Sequence, residues 1–158
     1  MTKASKISYF IVTMIFFIVF DIYFSNVLLS CVETLPNNPV FDLIFIQNTG
    51  AAFSILENSK LFLISFSAFS IIAMIIYLTK NIQKASAFVI FWVSLLISGV
   101  FCNMYERIVY GYVRDFFKLN FVDFPVFNIS DIFINVSVLA IVLIIIINEI
   151  NNRRTNRQ

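Results

Sequence analysis

Apolar residues along this chain fall into four long blocks. The first runs roughly from Ile7 to Leu29, the second from Leu61 to Leu78, the third from Ala85 to Tyr105 and the fourth from Ile129 to Ile147. Each approaches the ~20 residues that a helix needs to cross the hydrocarbon core of a bilayer. In lipid the helix is the form that satisfies backbone polar groups within a single segment. The pattern therefore predicts an all-α membrane protein, a single integral membrane domain over residues 1–158 with spans near 7–29, 61–78, 85–105 and 129–147.

The connectors refine this picture. Residues 30–60 and 106–128 form two long polar-interrupted segments, whereas Lys80–Lys84 is a short turn. Pro36, Asn37, Asn38 and Pro39 mark a turn. The aromatic and branched run Phe41–Ile46 after them predicts a short strand, and so a small β-containing subdomain outside the membrane. Ser59 is placed to N-cap the second span. No internal repeat appears, and Asn148–Gln158 reads as a solvated polar tail.

Composition agrees with a membrane solvent: 60% of the 158 residues are hydrophobic and 13% are charged, too few charges to cover a soluble domain of this size. The distribution of charge sets the orientation. Seven of the eleven basic residues (Lys3, Lys6, Lys80, Lys84, Arg153, Arg154 and Arg157) flank the outer ends of the pattern or fill the short turn. Glu33, Asp42, Glu57, Asp115 and Asp123 lie in the two long connectors. By the positive-inside rule both termini and the short turn are cytoplasmic, and connectors 30–60 and 106–128 face outward. The first block, preceded by Lys3 and Lys6 but followed by no small-residue cleavage site, reads as a retained helix. A net charge of +2 without a basic stripe argues against a nucleic-acid partner. The chain has no His and no CxxC, which excludes Cys/His zinc sites and Ser-His or Cys-His catalytic pairs. Cys31 and Cys102 read as small apolar side chains, a disulfide between them being left open.

Ionisable groups within spans are costly and face the bundle interior, so each is a functional candidate. Asp21 lies roughly 21 Å along the first span and Asn103 roughly 27 Å along the third, both toward the outer side. Arg107 shares a helix face with Asn103, and Asn128 shares one with Asp131 at the start of the fourth span. Asp115 sits in the second outer connector. These groups come from separate segments yet reach one membrane level, which predicts a site at the outer surface. Each also has a plainer reading. Asp131 suits a helix N-terminus, Arg107 a snorkelling role, and Asp21 a packing pair. Asn48-Thr-Gly50 suits a turn with Gly50 at positive φ. Lys118, Asp123 and Glu33 read as solvated loop charges.

Without His, a hydrolase has three routes: a Ser-Lys pair, a carboxylate metal cluster, or two aspartates. Ser59 and Lys60 adjoin at a helix start, a poor geometry for the first. No ligand spacing supports the second. Two aspartates near a low-dielectric interface can share one proton, one activating water while the other protonates a carbonyl oxygen.

Three blocks then carry a resemblance. Asn48-Thr-Gly-Ala-Ala-Phe-Ser54, Asn103-Met-Tyr-Glu-Arg107 with Tyr110-Gly-Tyr-Val-Arg-Asp-Phe116, and Phe124-Pro-Val-Phe-Asn-Ile-Ser-Asp131 resemble, in order and spacing, those of the signal peptidase II (lipoprotein signal peptidase) family. The resemblance covers nearly the whole chain. It implies an aspartic endopeptidase of the bacterial cytoplasmic (inner) membrane that cuts diacylglyceryl-modified prolipoproteins before the lipid-bearing cysteine. It implies Asp115 and Asp131 as the catalytic pair. Asp21, Asn48, Gly50, Asn103, Arg107 and Asn128 would line the site, with no metal or organic cofactor and a monomeric chain among membrane lipids. The first outer connector would form a small sheet and a mobile segment covering the site. The chain departs from the family pattern at Ser25, where a Lys is usual four residues after the span-one Asp. It departs again at Cys102 for Gly, Glu106 for Asp and Ser130 for Ala. The missing Lys sustains a second hypothesis, a non-catalytic membrane protein that binds lipoproteins or serves a small transporter. An ion-conducting bundle fits less well, because spans two and four carry almost no polar residues through their centres.

Overall fold

A computed structural model describes residues 1–32, 39–50, 56–57 and 59–155. Glu33, the turn residues Pro36, Asn37 and Asn38, the motif residues Ala51, Ala52, Phe53 and Ser54, and Arg157 lie outside the described residues. The elements run α1 (Lys3–Cys31), β1 (Phe41–Asn48), α2 (Lys60–Asn81), α3 (Ala87–Val109), β2 (Val113–Leu119) and α4 (Ile129–Thr155). All four helices are long and apolar enough to cross a membrane, so the all-α membrane class with a small β element holds. The helices outrun the apolar blocks, most visibly α4, because a helix continues past the hydrocarbon once its apolar stretch has ended. Caps explain several ends. Thr2 accepts from Ser5 N–H at 3.1 Å and Ser86 from Val89 N–H at 3.2 Å. Ser59 precedes α2 without a side-chain cap bond.

Helix α3 is the hub, packing against α1, α2 and α4. Its small residues allow this. Ser94 and Ser98 donate within their own helix, to Ile90 O at 2.7 Å and Ser94 O at 2.8 Å. They also reach α1 carbonyls, at Phe10 O (3.4 Å) and Met14 O (3.1 Å). A Cβ on Gly99 would stand 2.7 Å from the Ser130 carbonyl oxygen of α4, so the absent side chain sets how closely α3 and α4 approach. Toward the opposite end, Phe10, Ile71, Leu78, Ile82, Ile90 and Ile97 form the apolar core. There Lys6 Nζ donates to Gln83 O and Ala85 O at 2.8 and 2.6 Å, tying the start of α1 to the α2–α3 turn. The outer helix faces carry Phe16, Phe62, Phe69, Leu139 and Ile145, all exposed, as a hydrocarbon solvent requires.

β1 and β2 pair antiparallel, with Phe41 opposite Leu119 and Asn48 opposite Val113. An irregularity between Leu43 and Ile46 puts one extra residue into β1, a bulge of the kind that re-aims side chains beside sites. Phe127 then docks on β2, exchanging backbone bonds with Phe117 at 2.9 and 3.1 Å. Asn128, the next residue, is thereby brought to the sheet.

Candidate functional site

Side chains alternate across a strand, and in β2 this sends Arg114 and Asp115 to opposite sides. Asp115, 2% exposed, points into a cavity of about 550 Å³ lined also by Asn48, Asn103, Arg107, Phe124, Phe127 and Asp131. Its Oδ1 accepts from Asn128 Nδ2 at 2.8 Å and its Oδ2 from Asn48 Nδ2 at 2.9 Å. Asn48 lies two residues beyond Ile46, the register partner of Asp115, so it reaches across as a diagonal cross-strand neighbour. Burial pushes the Asp115 carboxyl up to about 7. The Asn48 bond opposes the shift, the nearby Asp131 charge adds to it, and the Asn128 bond and Arg107 charge oppose it.

Asp131 sits in the first turn of α4, in a reciprocal capping box. Its backbone N–H donates to Asn128 Oδ1 at 2.8 Å, and its Oδ2 accepts from Asn128 N–H at 3.2 Å. The other carboxylate oxygen accepts from Asn103 Nδ2 at 2.9 Å. Asn128 also donates to Asn103 Oδ1 at 3.1 Å. One asparagine thus touches both carboxylates and the amide that holds the second. The capping reading of Asp131 and a chemical one are compatible, since capping occupies one oxygen and leaves the carboxyl facing the cavity.

Arg107 spans the site from the α3 side. It donates to Gly50 O at 2.6 Å and Asn103 O at 3.1 Å, while Gly50 N–H donates to Asn48 Oδ1 at 2.9 Å. The guanidinium is bound to the Asn48–Gly50 segment, so it is no snorkelling side chain. Its Nε is buried without a partner among the described residues. Five of the expected lining residues (Asn48, Gly50, Asn103, Arg107 and Asn128), together with Asp131, therefore gather around Asp115.

Asp21 does not line this cavity. It is 2% exposed and lies behind the site, accepting from Ser130 Oγ at 2.8 Å. The Asp21 carboxyl turns to the first turn of α4, at Ser130, rather than into the cavity. Ser59 and Lys60 are likewise absent from the described lining, whereas Lys118 and Asp123 are exposed. No three Asp, Glu, Cys or His side chains gather as a metal-holding group among the described residues.

Sequence reasoning passed over several residues. Glu106 and Arg114 form a buried ion pair at 2.6 Å, and Glu106 also accepts the Arg114 backbone N–H at 2.7 Å. Arg114 reaches Asn26 Oδ1 at 2.9 Å and lies over the Tyr110 ring, 4.7 Å from its centroid. Asn135, one turn beyond Asp131, lines both this cavity and an apolar one of about 250 Å³ with Leu119, Ile132 and Val136. Its spacing of four from Asp131 is the signal that could have found it.

Comparison with known proteins decides the family. The model of signal peptidase (SPase) II matches residues 9–147. The chain belongs to the signal peptidase II family. It is 43% identical over 114 residues to the lipoprotein signal peptidase of Streptococcus thermophilus strain CNRZ 1066, covering 72% of each chain. To that of Clostridium tetani it is 37% identical over 109 residues, covering 67% of this chain and 69% of the relative. Its fold is similar to a bacterial membrane enzyme solved by the in meso method at 2.3 Å resolution. The TM-score is 0.76 at 25% identity, with 90% of both chains covered. This signal peptidase II is a multi-pass bacterial membrane protein.

Proposed function

We propose that this signal peptidase II, which removes signal peptides from prolipoproteins, works as an aspartic endopeptidase with Asp115 and Asp131 as its catalytic pair. Its substrates are diacylglyceryl-modified prolipoproteins, cut just before the lipid-bearing cysteine. The observation that carries the reading is Asn128. Its side chain donates to Asp115 while its backbone N–H donates to Asp131, holding two carboxyls in register at the wall of one cavity.

The chemistry follows from that arrangement. With Asp115 pushed up to about 7, the pair holds one proton near neutral pH, and the proton belongs to the pair rather than to either residue. The ionised carboxylate takes a proton from water as the water attacks the scissile carbonyl. The protonated one donates to the carbonyl oxygen, giving a tetrahedral diol. The carboxyl that took the water's proton passes it to the leaving nitrogen as the C–N bond breaks, while the other carboxylate takes a proton from a diol hydroxyl, so the pair again holds one proton. Asn48, Asn103 and Arg107 orient the carboxylates and offer donors to substrate backbone. The neighbouring apolar cavity at Phe124, Phe127 and Val136 suits a substrate that arrives with lipid attached.

Orientation is part of the proposal. Lys3, Lys6, Lys80, Lys84, Arg153 and Arg154 belong to one end of the bundle and the two aspartates to the other. The termini are then cytoplasmic and the site faces outward. The chain acts as a single membrane domain over 1–158 and as a monomer. The test uses purified protein and a diacylglyceryl-modified precursor. Wild type releases the signal peptide, while Asp115→Asn and Asp131→Asn lose at least about 10³-fold in rate yet remain inserted and folded. Unchanged cleavage by either variant would overturn the assignment, and binding without release by wild type would point to the non-catalytic alternative.

A further inference from the structure

None of the described residues lining the cavity comes from α1, yet α1 is tied to both sides of the pair. Asp21 accepts from the Ser130 hydroxyl at 2.8 Å, and Ser130 directly precedes Asp131. Asn26, about 7.5 Å further along the same helix, accepts from Arg114 at 2.9 Å, and Arg114 directly precedes Asp115. The two tethers act on adjacent peptide units of different elements, one on a helix start and one on a strand. They are unequal. Asp21 and Ser130 are 2% and 3% exposed, whereas Asn26 is exposed and Arg114 is held mainly by Glu106.

We propose that α1 is a spacing element for the reaction, with Asp21 as a positioning residue that sets where Asp131 stands relative to Asp115. The hydrogen bond that holds the Asp21 side chain comes from the Ser130 hydroxyl, and Ser25, one turn further along α1, is buried as well, at 3%. A buried carboxyl and hydroxyl lose heavily if parted in a low-dielectric interior, so the contact fixes the first turn of α4 against α1. Displacement of that turn by even about 1 Å suffices to slow a reaction that needs two aligned carboxyls.

The inference rests on the proposed pair, and two readouts keep the two readings apart. In precursor cleavage, Asp21→Ala is expected to lower kcat about 30-fold with KM within about twofold. Asp21→Asn, which keeps an acceptor oxygen for the Ser130 hydroxyl, recovers most of the loss. Ser130→Ala slows kcat about tenfold, and the double variant Asp21→Ala/Ser130→Ala is no slower than Asp21→Ala alone, because both act through one contact. The second readout needs no turnover: the ¹³C-carboxyl titration of Asp115, which senses the Asp131 charge, shifts in Asp21→Ala and Ser130→Ala but not in Asp21→Asn. Losses that multiply in the double variant, losses that only follow the folded fraction, or an unmoved Asp115 titration would overturn the positioning role. If wild type cleaves no precursor, the functional reading fails and the Asp115 titration alone decides the positioning one.

Discussion

Helices α2 and α3 are nearly equal in length and both strongly apolar, yet 11% of the most apolar stretch of α2 is buried against 39% of that of α3. α2 buries Ile71 and Leu78, two turns apart on one stripe, and turns Phe62, Phe66, Phe69, Ile72 and Ile76 outward. Its hydroxyls serve its own backbone, Ser70 bonding Phe66 O and Thr79 bonding Ile75 O. α3 instead spends its small and polar positions on neighbours: Ser94 and Ser98 on α1, Gly99 on α4, and Asn103, Glu106 and Arg107 on the site. In a hydrocarbon solvent, apolar content decides whether a helix crosses, and small and polar content decides what it touches.

Gly99 is where that contrast breaks most sharply, after the two aspartates themselves. A Cβ there meets backbone at Ser130 and the Ile134 side chain at 2.9 Å, and backbone cannot rotate out of the way. Gly99→Ala is expected to push the first turn of α4, and Asp131 with it, costing about 100-fold in precursor cleavage. Alanine substitutions on the outward face of α2 are the control. Next comes Glu106→Ala, which strands the Arg114 guanidinium and the backbone N–H that Glu106 now accepts. Removing one partner of a buried pair destabilises by roughly 3–5 kcal/mol, so thermal unfolding in detergent should move down clearly, with cleavage falling beside it.

A subtler effect belongs to Asp115, whose carboxyl titrates near 7 when folded and near 3.9 when unfolded. Between those values the folded protein holds the extra proton, so stability is fully present below about pH 4 and declines as pH rises through about 7. The unfolding midpoint should drop by a few degrees from pH 5 to pH 8. Asp115→Asn should flatten that slope. Cleavage should likewise decline above about pH 7 as the pair loses its proton. An unfolding midpoint that rises over the same range would contradict the burial argument.

The contrast between α2 and α3 also marks what could be read from sequence. Four apolar blocks and the placement of lysines were enough for the helices, and Phe41–Ile46 for most of β1. β2 was not legible: Val113–Leu119 carries Arg114 and Asp115 side by side, which reads as a charged connector. Only in the fold does strand alternation send one toward Glu106 and the other into the cavity. The site residues were legible as polar groups out of place at one depth. Their pairing was not, because Asn128 reaching Asp115 and Asn48 reaching across a bulged strand are tertiary facts. Asp21 shows the limit most plainly. Its depth matched the site, but depth along a helix does not reveal which side of the bundle a side chain faces.

The smallest expected effect tests the outer face of α2. Phe69 is 70% exposed, and none of the described residues covers it. Lipid would fill the space left by Phe69→Ala, so the cavity penalty of a core truncation does not arise. Cleavage should stay within about twofold and the unfolding midpoint within a degree or two, since substitutions away from packed features change stability little. A larger loss would mean that this face is covered by another copy of the chain. It would give α2 the buried partner it lacks here, and the proposed monomer would give way to an oligomer built on that helix.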